Sequence, residues 1–219
     1  MMQSLSHDLR VDIVSDIVCP WCIIGYRQLK QAADASSKTL DVHWHPFELN
    51  PQMSIEGQNL REHVAEKYGS TAEDSANSRD KIMKIGEELD FKFSFTPLSR
   101  IVNTFLAHQL IHWAETKGKG HEAKMALFRY YFTKGRDVSR KEVLLKAVRE
   151  LGLDVEEAEI MLNRGNLANT IRKAEQFWTS NGIHGVPAMI FDRRNLVNGA
   201  QGVENYALII RQLTETEAA

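Results

Sequence analysis

The tightest constraint on how this chain can fold is a four-residue run, Cys19-Pro20-Trp21-Cys22, where a β-rich segment gives way to a helical one. Its two cysteines are the only ones in 219 residues. Two thiols at this spacing can close a ring with each other and reopen it, the requirement for thiol–disulfide exchange. The flanking pattern says what carries them. Val11, Ile13, Ile17 and Val18 form an apolar, β-type segment that ends at Cys19. From Cys22 to Ala35 the period becomes helical, with Ile23, Tyr26, Leu29 and Ala33 on one side. Leu40 to Leu49 reads as a second strand, with Leu40, Val42 and Trp44 alternating against Asp41, His43 and His45. Strand, helix and strand in this order predict a βαβ unit with a parallel pair.

The middle of the chain shows no strand from Asn59 to Arg164, only successive helical stretches: 60–68, 71–89, 101–116, 122–133, 140–151 and 155–162. Asp137 to Ser139 stands where a cap for the fifth is expected. Strands return with Val186 to Phe191 and Leu196 to Asn198, and Val203 to Leu213 closes the chain as a helix before a frayed tail. The predicted class is α/β: a thioredoxin-like fold (βαβ…αββα) split by a large all-helical insertion. The expected division is 10–55 with 166–214 for the sheet domain and 56–165 for the insertion.

Composition narrows the function. The formal net charge is −2 with no long basic run, which argues against a nucleic-acid partner. No apolar run approaches the roughly 20 residues needed to span a bilayer, so no membrane partner is expected. Met1 to Leu9 is polar and lacks the features of a signal peptide, so a cytoplasmic protein is expected. Two cysteines make no disulfide scaffold. A zinc site is not expected, because no second ligand pair accompanies the motif. His108 and His112 stand four apart, but Gln109 occupies the place of a zinc-protease glutamate.

A Cys-x-x-Cys at a strand–helix junction has a physical logic. Pro20 suits the first helical position, where its missing N–H is no loss. The free N–H groups of the first turn and the helix dipole favour a thiolate on Cys19. Cys22 lies one turn deeper on the same face. Cys19 is thus the expected nucleophile and Cys22 the resolving thiol. Gly185-Val186-Pro187 opens the late apolar strand, a position suited to a cis X-Pro bond.

With these residues in place the chain resembles the DsbA-like thioredoxin-fold oxidoreductases of the FrnE type. Beyond the cysteines and Val186-Pro187, the resemblance rests on Pro46-Phe47-Glu48-Leu49-Asn50-Pro51 and Asn103-Thr104-x-x-Ala107-His108, with Leu127-Phe128, Tyr131-Phe132 and Gly152-Leu153-Asp154. It covers Val11 to Leu213. It implies a disulfide oxidoreductase or isomerase in which cis-Pro187 packs against the cysteines. It further implies that Val186, with Pro20 and Trp21, meets an extended substrate, and that Asn103 and His108 line the helical side of the cleft. Protein or small-molecule disulfides and thiols are the implied substrates. No bound cofactor is implied, glutathione serving as reductant or co-substrate. The alternative on the same scaffold is a glutathione-dependent small-molecule isomerase or transferase, resembling hydroxychromene-carboxylate isomerases and kappa-class glutathione transferases; these typically carry serine at the first cysteine position.

Two departures limit the mechanism. Thioredoxins place a buried acid six residues before the first cysteine, where this chain has Ile13. Strand alternation puts Asp12 and Asp16 on the other face. Proton transfer from Cys22 then needs another group or water. Trp21 stands where strong oxidants have a histidine, so a less depressed Cys19 pKa and a weaker oxidant are expected.

Overall fold

A computed structural model describes residues 9–217; the polar N-terminal stretch and the last two residues lie outside them. β1, Leu9–Ser15, is rich in valine and isoleucine and buried on both faces. It ends earlier than its apolar run suggests. Ile17 and Val18 belong to a turn closed by the Cys19 N–H on the Asp16 carbonyl at 3.2 Å. α1, Pro20–Ala35, follows at once with proline in its first turn. Ile23, Ile24 and Leu29 on its inner face are buried, each burial contributing about 1.5–3 kcal/mol. β2, Leu40–Pro46, pairs parallel with β1, Leu9 opposite Leu40 and Ser15 opposite Pro46.

The next stretch is mainly helical: α2, Leu60–Tyr68; α3, Ala72–Glu88; α4, Phe105–Glu115; α5, Gly120–Phe128; α6, Lys141–Glu150; α7, Val155–Arg164. It is not strandless. β3, Gln58–Asn59, and β4, Arg100–Ile101, pair antiparallel, because the chain after α3 returns alongside the segment before α2. α5 runs into a π-helical turn, Arg129–Thr133, where the Lys134 N–H reaches the Arg129 carbonyl. Asp137 does not cap α6; its Oδ1 accepts from the Ser139 N–H and hydroxyl, and Arg140 takes the cap position.

α8, Ala168–Ser180, leads back to the sheet. β5, Ala188–Phe191, pairs antiparallel with β1, Val14 opposite Ala188, and β6, Asn195–Asn198, pairs antiparallel with β5. α9, Val203–Glu217, extends beyond Leu213 through residues expected to fray; the Thr214 hydroxyl bonds the Ile210 carbonyl. The sheet order is β2-β1-β5-β6, which places β1 between both halves of the chain. Val11 and Ile13 join α1, α9 and the helices α4 to α7 in one apolar cluster. Val14 faces the other way, against Phe47, Ile183 and Ala188. β2 does not show the expected alternation, since both its faces are covered: Trp44 meets Phe128 of α5, and His45 meets Trp178 of α8. Among the described residues no helix is long and apolar enough to cross a membrane.

Candidate active site

Cys19 caps α1 in extended conformation, and Cys22 sits three residues on, its N–H donating to the Cys19 carbonyl at 3.2 Å. Both are free thiols. The Cys19 sulfur lies 3.5 Å from the carbonyl oxygen of Val186, 167 residues away. The antiparallel β1–β5 pairing causes this meeting, since it brings the start of β5 beside the end of β1. The Val186–Pro187 peptide is cis. Pro187 is buried, and its carbonyl accepts from the Gly199 N–H at 2.7 Å. A Cβ on Gly25 would stand 3.4 Å from Pro187 Cγ and 3.0 Å from Met189 Cε, so glycine lets α1 lie close over this loop. Pro20 is half-buried, and Trp21 is the exposed aromatic of the motif at 37%. Tyr68 on α2, also exposed, has its phenol pushed up by burial and then by the nearby Cys19.

A buried polar layer lies below the sulfurs. Asp16 follows β1 rather than belonging to it, so strand alternation does not place it; it is buried. Its Oδ2 accepts the Leu49 N–H at 2.8 Å, and its Oδ1 lies 3.4 Å from His108 Nε2. Burial works against its carboxylate, but His108, Leu49 and Lys124 hold it below its usual range. Lys124 is 1% exposed; its ammonium donates to the Ser15 carbonyl at 3.3 Å and lies over the rings of Trp44 and Phe128 at 5.3 and 5.1 Å. Burial lowers it to about 8 against the support of Cys22, Asp16 and Cys19. Asp12 is turned away, paired with Arg10 and His45.

The two thiols titrate as a pair. Sharing a proton with Cys22, burial and the Asp16 charge push Cys19 well up. Burial also opposes the Cys22 anion, but Cys19, the Ser15 hydroxyl and the Lys124 charge hold Cys22 down. The helix N-terminus favours an anion on Cys19, while Lys124 supports one on Cys22 and Asp16 opposes one on Cys19; the pair shares a single proton. Cys22 is fully buried, so Cys19, at the helix tip, is the sulfur nearer to solvent.

The structure therefore gathers Cys19, Cys22, Val186 and Pro187 into one place, with Pro20 and Trp21 at its edge. It does not bring Asn103 to the sulfurs. The Asn103 amide donates to the Met53 carbonyl, and its oxygen accepts the Phe105 N–H at the start of α4. His108 lies under the motif and, being buried, does not line an open cleft. Sequence reasoning missed Lys124. Its one signal is position: Lys124 shares a face of α5 with Ala123, Leu127 and Phe128, where an apolar residue is expected. Among the described residues no three His, Cys, Asp or Glu side chains converge as a metal set.

Comparison with known proteins agrees on the architecture. The family model of the DSBA-like thioredoxin domain matches residues 10–211. The Bacillus subtilis protein YwbO is 26% identical over 142 residues, 65% of this chain and 66% of that protein. The probable DsbA oxidoreductase of Streptomyces coelicolor superposes with a TM-score of 0.87 at 28% identity, over 93% of this chain and 89% of that one. A 2-hydroxychromene-2-carboxylate isomerase shares the fold at a TM-score of 0.72 and 13% identity, over 95% and 98% of the chains.

Proposed function

The chain belongs to the DSBA-like thioredoxin domain family, and from that premise we propose that it is a thiol–disulfide oxidoreductase of the FrnE type, reducing or isomerising disulfides through Cys19 and Cys22. The observation that carries this is the placement of two free thiols at a helix tip, the outer one facing Val186 beside Pro187 and the inner one sealed. As Cys19 attacks a substrate disulfide, its proton passes to Cys22, the partner with which it is shared. A new Cys19–substrate disulfide forms and one substrate thiolate leaves. Cys22 then loses the proton and attacks Cys19, the second substrate thiolate leaves, and two electrons have moved from protein to substrate.

In this reading Val186 aligns an extended substrate through its backbone, and Pro20, Trp21 and the exposed Tyr68 supply apolar surface. The substrates are protein or small-molecule disulfides, with a thiol such as glutathione returning the electrons. The site works in the cytoplasm, in keeping with a composition whose only cysteines are the motif itself. Trp21 brings no cationic charge to the Cys19 thiolate, which favours reduction or reshuffling over installation of disulfides, because a strong oxidant needs a stabilised thiolate at that position.

The test is insulin reduction with dithiothreitol as electron source. Wild type accelerates precipitation of the insulin B chain and Cys19→Ala does not; full activity in Cys19→Ala ends the proposal. Cys22→Ser is expected to accumulate a mixed disulfide on Cys19. A glutathione-dependent isomerase of the same fold would turn over regardless of Cys22.

A further inference from the structure

Among the described residues Lys124 is the one lysine or arginine in the buried set, and the βαβ unit does not supply it. It comes from α5, in the middle of the helical insertion, and its ammonium ends at the Ser15 carbonyl, the last residue of the strand that leads to the motif. The Ser15 hydroxyl makes no hydrogen bond of ordinary geometry, yet it stands close enough to Cys22 to favour the anion there. Cys22 and Lys124 each feel the other's charge. A buried lysine beside a buried thiol that must lose a proton is costly to keep without a use.

A small cavity of about 40 Å³ continues the path outward. Lys124 and His108 line it on the buried side, and His112 and Glu115 of α4 line it on the exposed side. Its size is ample for water, which needs only about 10–15 Å³ of such space.

We propose that Lys124 is the proton-transfer partner of Cys22, taking the thiol proton when the mixed disulfide is resolved and exchanging it with solvent through the cavity that ends at His112 and Glu115. The proposal rests on the dithiol reading above. In the resolving step the Cys22 proton moves to the Lys124 amine as the Cys22 sulfur bonds to the Cys19 sulfur. The bond between Cys19 and the substrate sulfur breaks, and the departing thiolate takes a proton from water. Lys124 then returns its proton to water in the cavity.

The other groups facing Lys124 do not fill this role. Asp16 is held in its anionic form by His108, the Leu49 N–H and Lys124 itself, which makes it a poor base. Cys19 is occupied by the substrate at that moment. Trp44 and Phe128 offer only ring faces, and His45 is committed to Asp12 at 2.7 Å. His108 faces the Asp16 carboxylate. Lys124 is also suited to the timing. The thiolate character of Cys22 and Cys19 helps keep it protonated, and that support disappears once Cys19 is in a mixed disulfide and Cys22 is a neutral thiol. The lysine gives up its proton most easily in the state where a base is needed.

The experiment is stopped-flow reaction of the reduced protein with 5,5′-dithiobis(2-nitrobenzoate), which releases one coloured thiolate when Cys19 attacks and a second when Cys22 resolves. Lys124→Met and Lys124→Arg are compared with wild type from pH 6 to 10. Arginine keeps the cation and cannot accept a proton. Both variants are expected to lower the ratio of the second rate to the first by roughly tenfold or more near pH 7, and to approach wild type at high pH, where hydroxide deprotonates Cys22 directly. Wild-type ratios in either variant across the pH range overturn the proposal; for arginine alone, they show that charge suffices. The pH profile of the second phase in wild type requires no variant to fold. Because the thiolate support is gone in the mixed disulfide, it should rise with deprotonation of a group below about 8, and a profile that follows an ordinary thiol, at about 8.5, would also overturn the proposal. A wild-type protein that releases only one thiolate lacks dithiol chemistry altogether, and the function proposed above fails with it.

Discussion

Replacing Lys124 by methionine is expected to stabilise the protein at neutral pH and to remove a rise in stability on the alkaline side. The magnitude follows from burial. The ammonium is held at about 8 against an ordinary 10.5, and each tenfold in proton affinity corresponds to about 1.4 kcal/mol. The charged lysine therefore costs the folded state about 3 kcal/mol below pH 8. Methionine fills similar volume without the charge but forgoes the bond to the Ser15 carbonyl and the ring contacts, together about 1–2 kcal/mol. The net gain near pH 7 is about 1–2 kcal/mol. The sign of the pH dependence is definite. Between the folded and unfolded values the unfolded chain binds the proton and the folded chain does not, so wild-type stability rises with pH. The variant lacks this contribution, and its advantage shrinks by about 2.5 kcal/mol from pH 7 to pH 10. Urea unfolding of both reduced proteins at half-unit pH intervals measures the difference directly, with titrations common to both proteins cancelling. A difference that stays flat over this range would refute the claim that Lys124 carries a buried charge.

Two further outcomes follow from the same kind of accounting. Glu48 is held up to about 7, first by burial and then by the Glu175 carboxylate, against the pull of Arg172. A carboxyl that binds its proton more tightly when folded adds stability below pH 4.5 that is lost as pH rises through 7; Glu48→Gln is expected to flatten that loss in urea midpoints, and an unchanged slope would refute it. Gly86 of α3 lies where the chain doubles back, and a Cβ there would stand 2.4 Å from Phe93 Cδ2 and 2.5 Å from the Phe91 carbonyl. Gly86→Ala is expected to cost about 2 kcal/mol despite alanine's better helix propensity, because the backbone carbonyl cannot give way; an unchanged thermal midpoint would contradict it.

The sequence alone determined the parts of this protein that depend on near neighbours. Cys19 to Cys22 sit at a helix start because Pro20 tolerates that position and the preceding residues prefer β structure. The parallel β1–β2 pair follows from the order strand, helix, strand. The positions of α3, α6 and α7 follow from apolar periodicity, since each packs one face against the core. Local pattern failed for two reasons. β2 does not alternate because the distant helices α5 and α8 cover both its faces, and Asp16 escapes the strand's alternation because a local turn has already begun.

The electrostatics of the motif were decided only by the tertiary structure. The missing acid at Ile13 left open where a Cys22 proton could go, and no local rule pointed to a residue 102 positions later in the chain. Lys124 reads as an ordinary helical lysine until α5 packs against β2 and its ammonium reaches the Ser15 carbonyl at the end of β1. Burial then strips its solvation, brings it near the thiols and moves its proton affinity towards neutrality. Bonding preferences of neighbouring residues can be read along a chain, whereas the dielectric surroundings of a charge exist only once the elements have been assembled.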